Sequence, residues 1–301
     1  MGATIRNRRG DFMERYDVII IGGGPAGCTA GIYACRNGLK TLIIEKKFCG
    51  GQTVLTDTIE NYPGLDGISG FEFAQKLKAH ALNYGAEIVS ENVEEIDLES
   101  EVKRVNNYEA DAVIIATGAV PKKLGIDREE ELTGKGVSYC ATCDGMFFKD
   151  KDVAVVGGGN TALEDAEYLN RICNKVYIIH RRDKFRGDMH LVKRVEALEN
   201  VELCMENEVS ELVGTPLSSV VLKDGRELSV NGIFIAVGNN PESELFGVCE
   251  KENGYILTDE FMRTNIPGVY AVGDVRKKFL RQIITACSDG AVASSHIISN
   301  K

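Results

Sequence analysis

Cys140 and Cys143 lie in the segment Ser138-Tyr139-Cys140-Ala141-Thr142-Cys143-Asp144-Gly145 and are the residues of this chain best suited to covalent chemistry. Thiols at this spacing can close a disulfide, and one sulfur can then attack or leave as a thiolate. The same pair also fits half a zinc site or two inert buried cysteines. Zinc needs a second Cys or Cys/His pair at ligand spacing, and the sequence holds none. Gly145 and Asp144 suggest a loop, where thiols can be reached. Asp144 fits two roles, a turn or cap residue or a proton donor. As a donor near neutrality it must keep its proton, so burial must raise its pKa or a water must relay.

Two glycine-rich turns set the frame for that segment. Gly22, Gly23, Gly24, Pro25, Ala26 and Gly27 follow an apolar run at 16–21 and precede a small-residue, helix-compatible stretch ending at Asn37-Gly38. A second apolar run at 39–44 closes on Glu45, which completes a βαβ unit. The order returns at 152–156, then Gly157, Gly158, Gly159, Asn160 and Thr161, a helix through Leu169, and a strand at 175–179 ending at His180. In such turns one glycine permits the bend, one admits a pyrophosphate and one lets the helix pack, with phosphate on the helix N-terminus. One match is weak evidence, whereas two in the strand–turn–helix context are not. Around them an amphipathic helix is expected at 71–84, buried strands at 110–116, 232–237 and 268–272, and a hairpin at 219–228 turning on Asp224-Gly225.

The second strands of the two units end differently. Glu45 can accept hydrogen bonds from ribose hydroxyls and would repel a phosphorylated ribose. His180-Arg181-Arg182, with Arg186 close behind, offers guanidinium forks to a 2′-phosphate, although a solvated basic loop is the commoner fate of such a run. FAD at the first turn and NADPH at the second is the natural assignment. The fold class expected is α/β, with Rossmann-like three-layer nucleotide-binding domains.

Composition bounds the remaining classes. The 301 residues carry 35 Lys+Arg against 45 Asp+Glu, a formal charge of -10, which disfavours nucleic acid as a partner. No apolar run approaches the ~20 residues of a membrane span. Residues 1–13 are expected to be a disordered extension or an alternative start, excluded from the fold. Nine cysteines, an odd number, favour a reducing compartment, the cytoplasm. Cys28, Cys35, Cys49, Cys173, Cys204, Cys249 and Cys287 show no paired spacing, and most read as small buried hydrophobes.

From Tyr16 to its end the chain resembles the low-molecular-weight bacterial thioredoxin reductases, class II pyridine nucleotide-disulfide oxidoreductases. The resemblance is carried by the first glycine turn, Gly50-Gly51-Gln52, Glu60-Asn61-Tyr62-Pro63-Gly64, Ala116-Thr117-Gly118 and Cys140-Ala141-Thr142-Cys143-Asp144. The second glycine turn, His180-Arg181-Arg182 with Arg186, and Gly273-Asp274 followed by Arg281-Gln282 extend it. It implies an FAD domain made of 14–120 and 246–301, with an NADP domain, 121–245, inserted and bearing the dithiol. It implies a homodimer acting on thioredoxin or a related small dithiol protein. By matching position, Cys143 would face the flavin, Cys140 would attack the partner's disulfide, and Asp144 would donate the proton. FAD contacts would come from Gly22, Gly24, Pro25, Ala26, Gly27, Glu45, Gly51, Gln52, Asn61, Val93, Thr117, Gly118, Gly273, Asp274, Arg281, Gln282 and Ile283. NADP contacts would come from Gly157, Gly158, Gly159, Asn160, Thr161, Glu164, His180, Arg181, Arg182, Arg186 and Gly238, with no metal. Nicotinamide and dithiol share one domain, so a swivel about crossings near Pro121 and Pro241 is implied. A ferredoxin-fed flavin enzyme of similar architecture is the first rival, disfavoured by the intact second turn and arginine cluster. A second is a peroxide-system flavoprotein feeding a peroxiredoxin through extra dithiol domains, disfavoured because no such domain is read in the sequence, and a third is a flavin-bound redox sensor, which would not turn over.

Overall fold

The computed structural model describes residues 13–301 except Asp57, Glu60 and Asp66. Residues 1–12 of the expected 1–13 extension, and Glu60 of the family pattern, therefore lie outside the described residues, whereas Met13 is described and buried, contrary to its exclusion from the fold. The chain forms two compact units, one running through Val120 and resuming at Asn240, the other Pro121–Asn239.

In the first unit the chain runs β1 (Glu14–Ile21), α1 (Pro25–Arg36), β2 (Thr41–Glu45), α2 (Gly70–Asn83), β3 (Glu87–Ser90), β4 (Ile96–Asp97), β5 (Lys103–Val105) and β6 (Tyr108–Ile115). It leaves through β7 (Ala119–Pro121). The second unit holds β8 (Val137–Ser138), α3 (Ala141–Asp144), β9 (Asp152–Val156), α4 (Asn160–Asn170), β10 (Lys175–His180), α5 (Met189–Glu196) and β11 (Val201–Met205). It continues with β12 (Val209–Val213), β13 (Ser219–Leu222), β14 (Glu227–Ser229) and β15 (Gly232–Ile235). The return is made by β16 (Asn239–Pro241), followed by β17 (Lys251–Glu252), β18 (Tyr255–Ile256), β19 (Val269–Ala271) and α6 (Ile283–Ser299).

The first unit's sheet has the order β3-β2-β1-β6-β5-β4, with β19 on β6. β1 pairs in parallel with β2 and β6, and the latter half of β6 pairs in parallel with β19 while its start pairs antiparallel with β5. The apolar run of β1 has no polar alternation because both of its faces are covered. Ile19 and Ile21 enter one core with Val113 and Val269, and Val18 and Ile20 enter the other with Ala30 and Ala293. Helices α1 and α6 pack closely enough that a Cβ on Gly290 would stand 2.2 Å from the Ala26 carbonyl oxygen.

The second unit's parallel sheet, β11-β10-β9-β15-β8, likewise has cores on both faces, beside a three-stranded antiparallel sheet β12-β13-β14. The hairpin turn at Asp224-Gly225 forms where the sequence places it, with Gly225 at φ +88°. The return crossing falls at Asn239/Asn240, earlier than the expected 245/246. Local bonds explain the shift: Lys122 N donates to Gly238 O (2.9 Å) inside the second unit, and Glu242 N already donates to Gly118 O (2.9 Å) inside the first.

Candidate functional site

Cys140 and Cys143 are joined as a disulfide, their Cα atoms 5.3 Å apart. Cys140 caps the N-terminus of the short helix α3, which carries Cys143 and Asp144. The backbone N–H groups of Cys143 and Asp144 donate to the Cys140 carbonyl at 3.3 and 3.1 Å. This closes a turn that brings the two sulfurs together. Ser138, at the end of β8, donates its hydroxyl to Asp144 Oδ2 (2.6 Å) and accepts from Cys140 N (3.1 Å). The serine therefore fixes the aspartate relative to the first cysteine, a role that nothing in sequence spacing announces. Gly145 is required by packing, since a Cβ there would meet the Tyr168 ring at 2.8 Å. The dithiol turn is thus seated on α4, the helix that starts at the second glycine turn. Both cysteines and Asp144 are half-buried.

The two glycine turns follow one geometric plan. Gly22 has φ +109°, and a Cβ on it would stand 2.3 Å from Ala116 O; Gly27 would press 1.9 Å against Gly22 O. Gly157 is constrained by Ala236 O at 2.5 Å, and Gly158 by the His180 ring at 2.2 Å. At Gly24 and Gly159, the N-caps of α1 and α4, an added Cβ would meet no atom within 4 Å. Glycine is thus demanded by the protein at one edge of each turn, and open space lies at the helix N-terminus, where an anion is favoured.

Beside the first turn, Glu45 Oε2 accepts from Gly23 N (2.7 Å) and Oε1 from Lys47 N (2.9 Å), which orients the carboxylate. A Cβ on Gly51 would lie 3.5 Å from Gly24 Cα. Asn61 donates to the Gln282 side chain (2.9 Å), and Gln282 caps α6, whose first residue is Ile283. Thr117 donates to Glu242 O (2.6 Å), Gly118 has φ +75°, and Val93 packs on the sheet core. Gly273 has φ +72°, and a Cβ on it would lie 3.0 Å from Ala26 Cβ, which brings Asp274 to the start of α1. Burial pushes the Asp274 pKa up, Lys278 and Arg281 pull it down, and Asp289 raises it again. Asp274 Oδ1 and Arg281 Nε are buried without a hydrogen-bond partner. Such orphaned groups cost ~1–3 kcal/mol each, a cost that a polar ligand would remove. A flavin nucleotide fits this donor and acceptor set. The loop is held from behind by Asp289, which accepts from Gly273 N (3.0 Å), Arg276 Nε (2.9 Å) and Lys278 Nζ (2.8 Å). Arg281 lies 4.2 Å above the Tyr255 ring. Asp289 and Tyr255 were not legible as site residues because their partners are set by the fold.

A cavity of about 610 Å³ opens beside the second turn. Gly157, Gly158, Gly159, Thr161, His180, Arg181, Arg186 and Gly238 wall it, as do Lys122, Lys123, Asn207, Glu208 and Lys223, which sequence reading missed. Only the Lys122-Lys123 pair left a signal, as a basic step beside Pro121. Asn160, Glu164 and Arg182 do not wall it. Asn160 instead exchanges hydrogen bonds with Asp188, accepting from its N–H (2.7 Å) and donating to its carboxylate (2.9 Å). His180 is buried; its Nε2 meets Lys184 O at 3.1 Å, its ring stacks on Phe185, and Arg186 N donates to Gly158 O (2.7 Å). Burial, and the charges of Arg186, Arg182 and Arg181, lower the His180 pKa, against the Lys184 contact. The ring thus pins the arginine loop to the turn. The concentrated positive charge and the anion-favouring helix end suit a pyridine nucleotide.

Among the described residues there is no cluster of three or more His, Cys, Asp or Glu that could hold a metal, and no helix is long and apolar enough to cross a membrane. The family model described as pyridine nucleotide-disulphide oxidoreductase matches residues 16–290. A thioredoxin reductase of Listeria innocua is 48% identical over 93% of this chain and 92% of its own length. Another, of Bacillus subtilis, is 44% identical over 94% and 93%. The crystal structure of thioredoxin reductase from Streptococcus pyogenes, 44% identical, superposes with a TM-score of 0.89 over 95% of this chain and 97% of that one.

Proposed function

We propose, from the premise that this chain belongs to the pyridine nucleotide-disulphide oxidoreductase family, that it is an NADPH-dependent thioredoxin reductase holding FAD. The observation that carries the reading is the Cys140–Cys143 disulfide on the unit that also holds the arginine-walled cavity. Bound FAD and NADPH would supply the hydride and electron transfer that reduces this disulfide. The orphaned Asp274 and Arg281 atoms, Asn61–Gln282, Glu45 and the open side of Gly24 would hold FAD, while Gly159, Arg181 and Arg186 would hold NADP, the arginines at its 2′-phosphate.

Once reduced, the Cys140 thiolate attacks one sulfur of the partner's disulfide, and the other sulfur leaves as a thiolate that needs a proton. Cys143 then attacks the Cys140 sulfur of the mixed disulfide, which re-forms the Cys140–Cys143 disulfide and expels the partner's remaining sulfur as a thiolate, releasing the reduced partner. Asp144, which the Ser138 hydroxyl holds, would deliver the proton. The reading includes a homodimer and a cytoplasmic setting, where a reducing milieu keeps the other thiols free.

The test is anaerobic turnover: NADPH oxidation sustained by oxidised thioredoxin, with NADH and reduced ferredoxin in parallel. Sustained turnover with NADPH is expected, and Cys143→Ser should lower it by ~10³-fold or more. Reduction by ferredoxin alone would favour the ferredoxin-fed enzyme, and a single stoichiometric reduction would favour a sensor.

A further inference from the structure

Sequence spacing treats Cys28 and Cys49 as unrelated small hydrophobes, but the fold brings them to one residue. Cys28 is in the first turn of α1, and Cys49 lies in the loop after β2, directly before Gly50-Gly51. Cys28 Sγ donates to Gly23 O at 3.2 Å, and Cys49 Sγ is 3.0 Å from the position a Gly23 Cβ would take. Gly50 N donates to the same carbonyl at 2.8 Å, so the backbone beside Cys49 is anchored where Cys28 is anchored. The two thiols also perturb each other's titration.

Their surroundings differ. Cys28 is fully buried, whereas Cys49 is half-buried and lines a separate cavity of about 130 Å³ with Glu45, Phe48, Gln75 and Lys78. The neighbouring Cys28 thiol lowers the Cys49 pKa, opposed by burial and Glu45 and helped by the Lys78 ammonium. Cys49, together with burial, raises that of Cys28. One sulfur is reachable and the other is buried, the arrangement of an attacking and a resolving cysteine.

We propose that Cys28 and Cys49 form a second redox dithiol, a site of modification by hydroperoxides distinct from Cys140–Cys143. The Cys49 thiolate attacks one peroxide oxygen; the O–O bond breaks, and the departing alkoxide or hydroxide takes up the proton that Cys49 had released. Cys49 is now a sulfenic acid. Cys28 sulfur then attacks Cys49 sulfur, the S–O bond breaks, and the Cys28 proton leaves with the hydroxyl as water. Two thiols have been oxidised to one disulfide, and the peroxide has been reduced to an alcohol, or water, and water.

The experiment treats the flavin-loaded, unaltered protein with hydrogen peroxide, blocks free thiols with iodoacetamide, and maps unreduced peptides by mass spectrometry. A Cys28–Cys49 linked peptide is expected, resolved by mass from the Cys140–Cys143 peptide. In Cys28→Ser the sulfenic acid on Cys49 has lost its resolving partner, and dimedone should label Cys49 ~10-fold more than in the unaltered protein. The proposal is overturned if peroxide produces no Cys28–Cys49 link, or if Cys28 links instead to Cys287, the buried thiol of α6 that also lies near α1 through Pro25 O (3.8 Å).

Discussion

At the scale of single residues, environment assigns chemistry that residue type leaves open. Asp144 is one aspartate among several beside glycines, yet the Ser138 hydroxyl holds it against the dithiol turn. Asp165 on α4 shows the opposite situation, with burial and the neighbouring Glu164 raising its pKa from 3.8 to about 7. A carboxyl whose folded pKa lies above its unfolded one binds protons more tightly when folded. Its penalty is therefore absent below the unfolded value, grows as pH rises through the interval up to about 7, and is complete above it. Asp165→Asn should raise Tm by a few degrees at pH 8 and leave it nearly unchanged near pH 4, as thermal denaturation at the two pH values would show. An equal shift at both would remove desolvation as the cause.

At the scale of elements, the glycine turns separate what the protein needs from what a ligand needs. Gly22→Ala places a side chain at φ +109° and against Ala116 O, so it should cost on the order of 1–3 kcal/mol or more of stability, visible in urea unfolding. Gly24→Ala has ordinary backbone (φ −72°) and free space. It should leave apoprotein stability within about 0.5 kcal/mol while weakening FAD binding ~10-fold or more, measured by flavin fluorescence. The loop after β10 makes a parallel case. Arg181 and Arg186 wall the cavity, and replacing both by Gln should raise KM for NADPH by ~10–100-fold with little change for NADH, whose ribose lacks the phosphate. Similar losses for both nucleotides would mean that the arginines do not read the phosphate.

At the scale of the whole molecule, the chain divides into two units, and the second bears both the disulfide and the cavity. If nicotinamide and dithiol must use one flavin in turn, the second unit has to turn about the crossings at Val120/Pro121 and Asn239/Asn240. A cross-link that holds the units in a single orientation should then abolish turnover with thioredoxin, and undiminished turnover by the cross-linked protein would rule the swivel out. Reduction of the linker should restore the rate.

The strand–turn–helix units, the hairpin at Asp224-Gly225 and the dithiol segment were legible in the sequence because each is a local matter. Strand runs buried on both faces are continuously apolar, tight turns require glycine, and a two-residue spacing brings two thiols within reach. The placement of Glu45, Arg181 and Arg186 beside their glycine turns could be read from the sequence because a βαβ unit puts the residues after its second strand at a known position. What only the tertiary structure decided are the meetings of residues distant along the chain: Asn61 with Gln282, Asp289 behind Asp274, Lys122 and Lys223 on one cavity, and Cys28 with Cys49. Such contacts depend on which loops converge where the strands end, and spacing carries no record of that. The Cys140–Cys143 pair is the converse case, since these cysteines needed only a short helix to meet, while the hydroxyl that orients their aspartate came from β8 beside them.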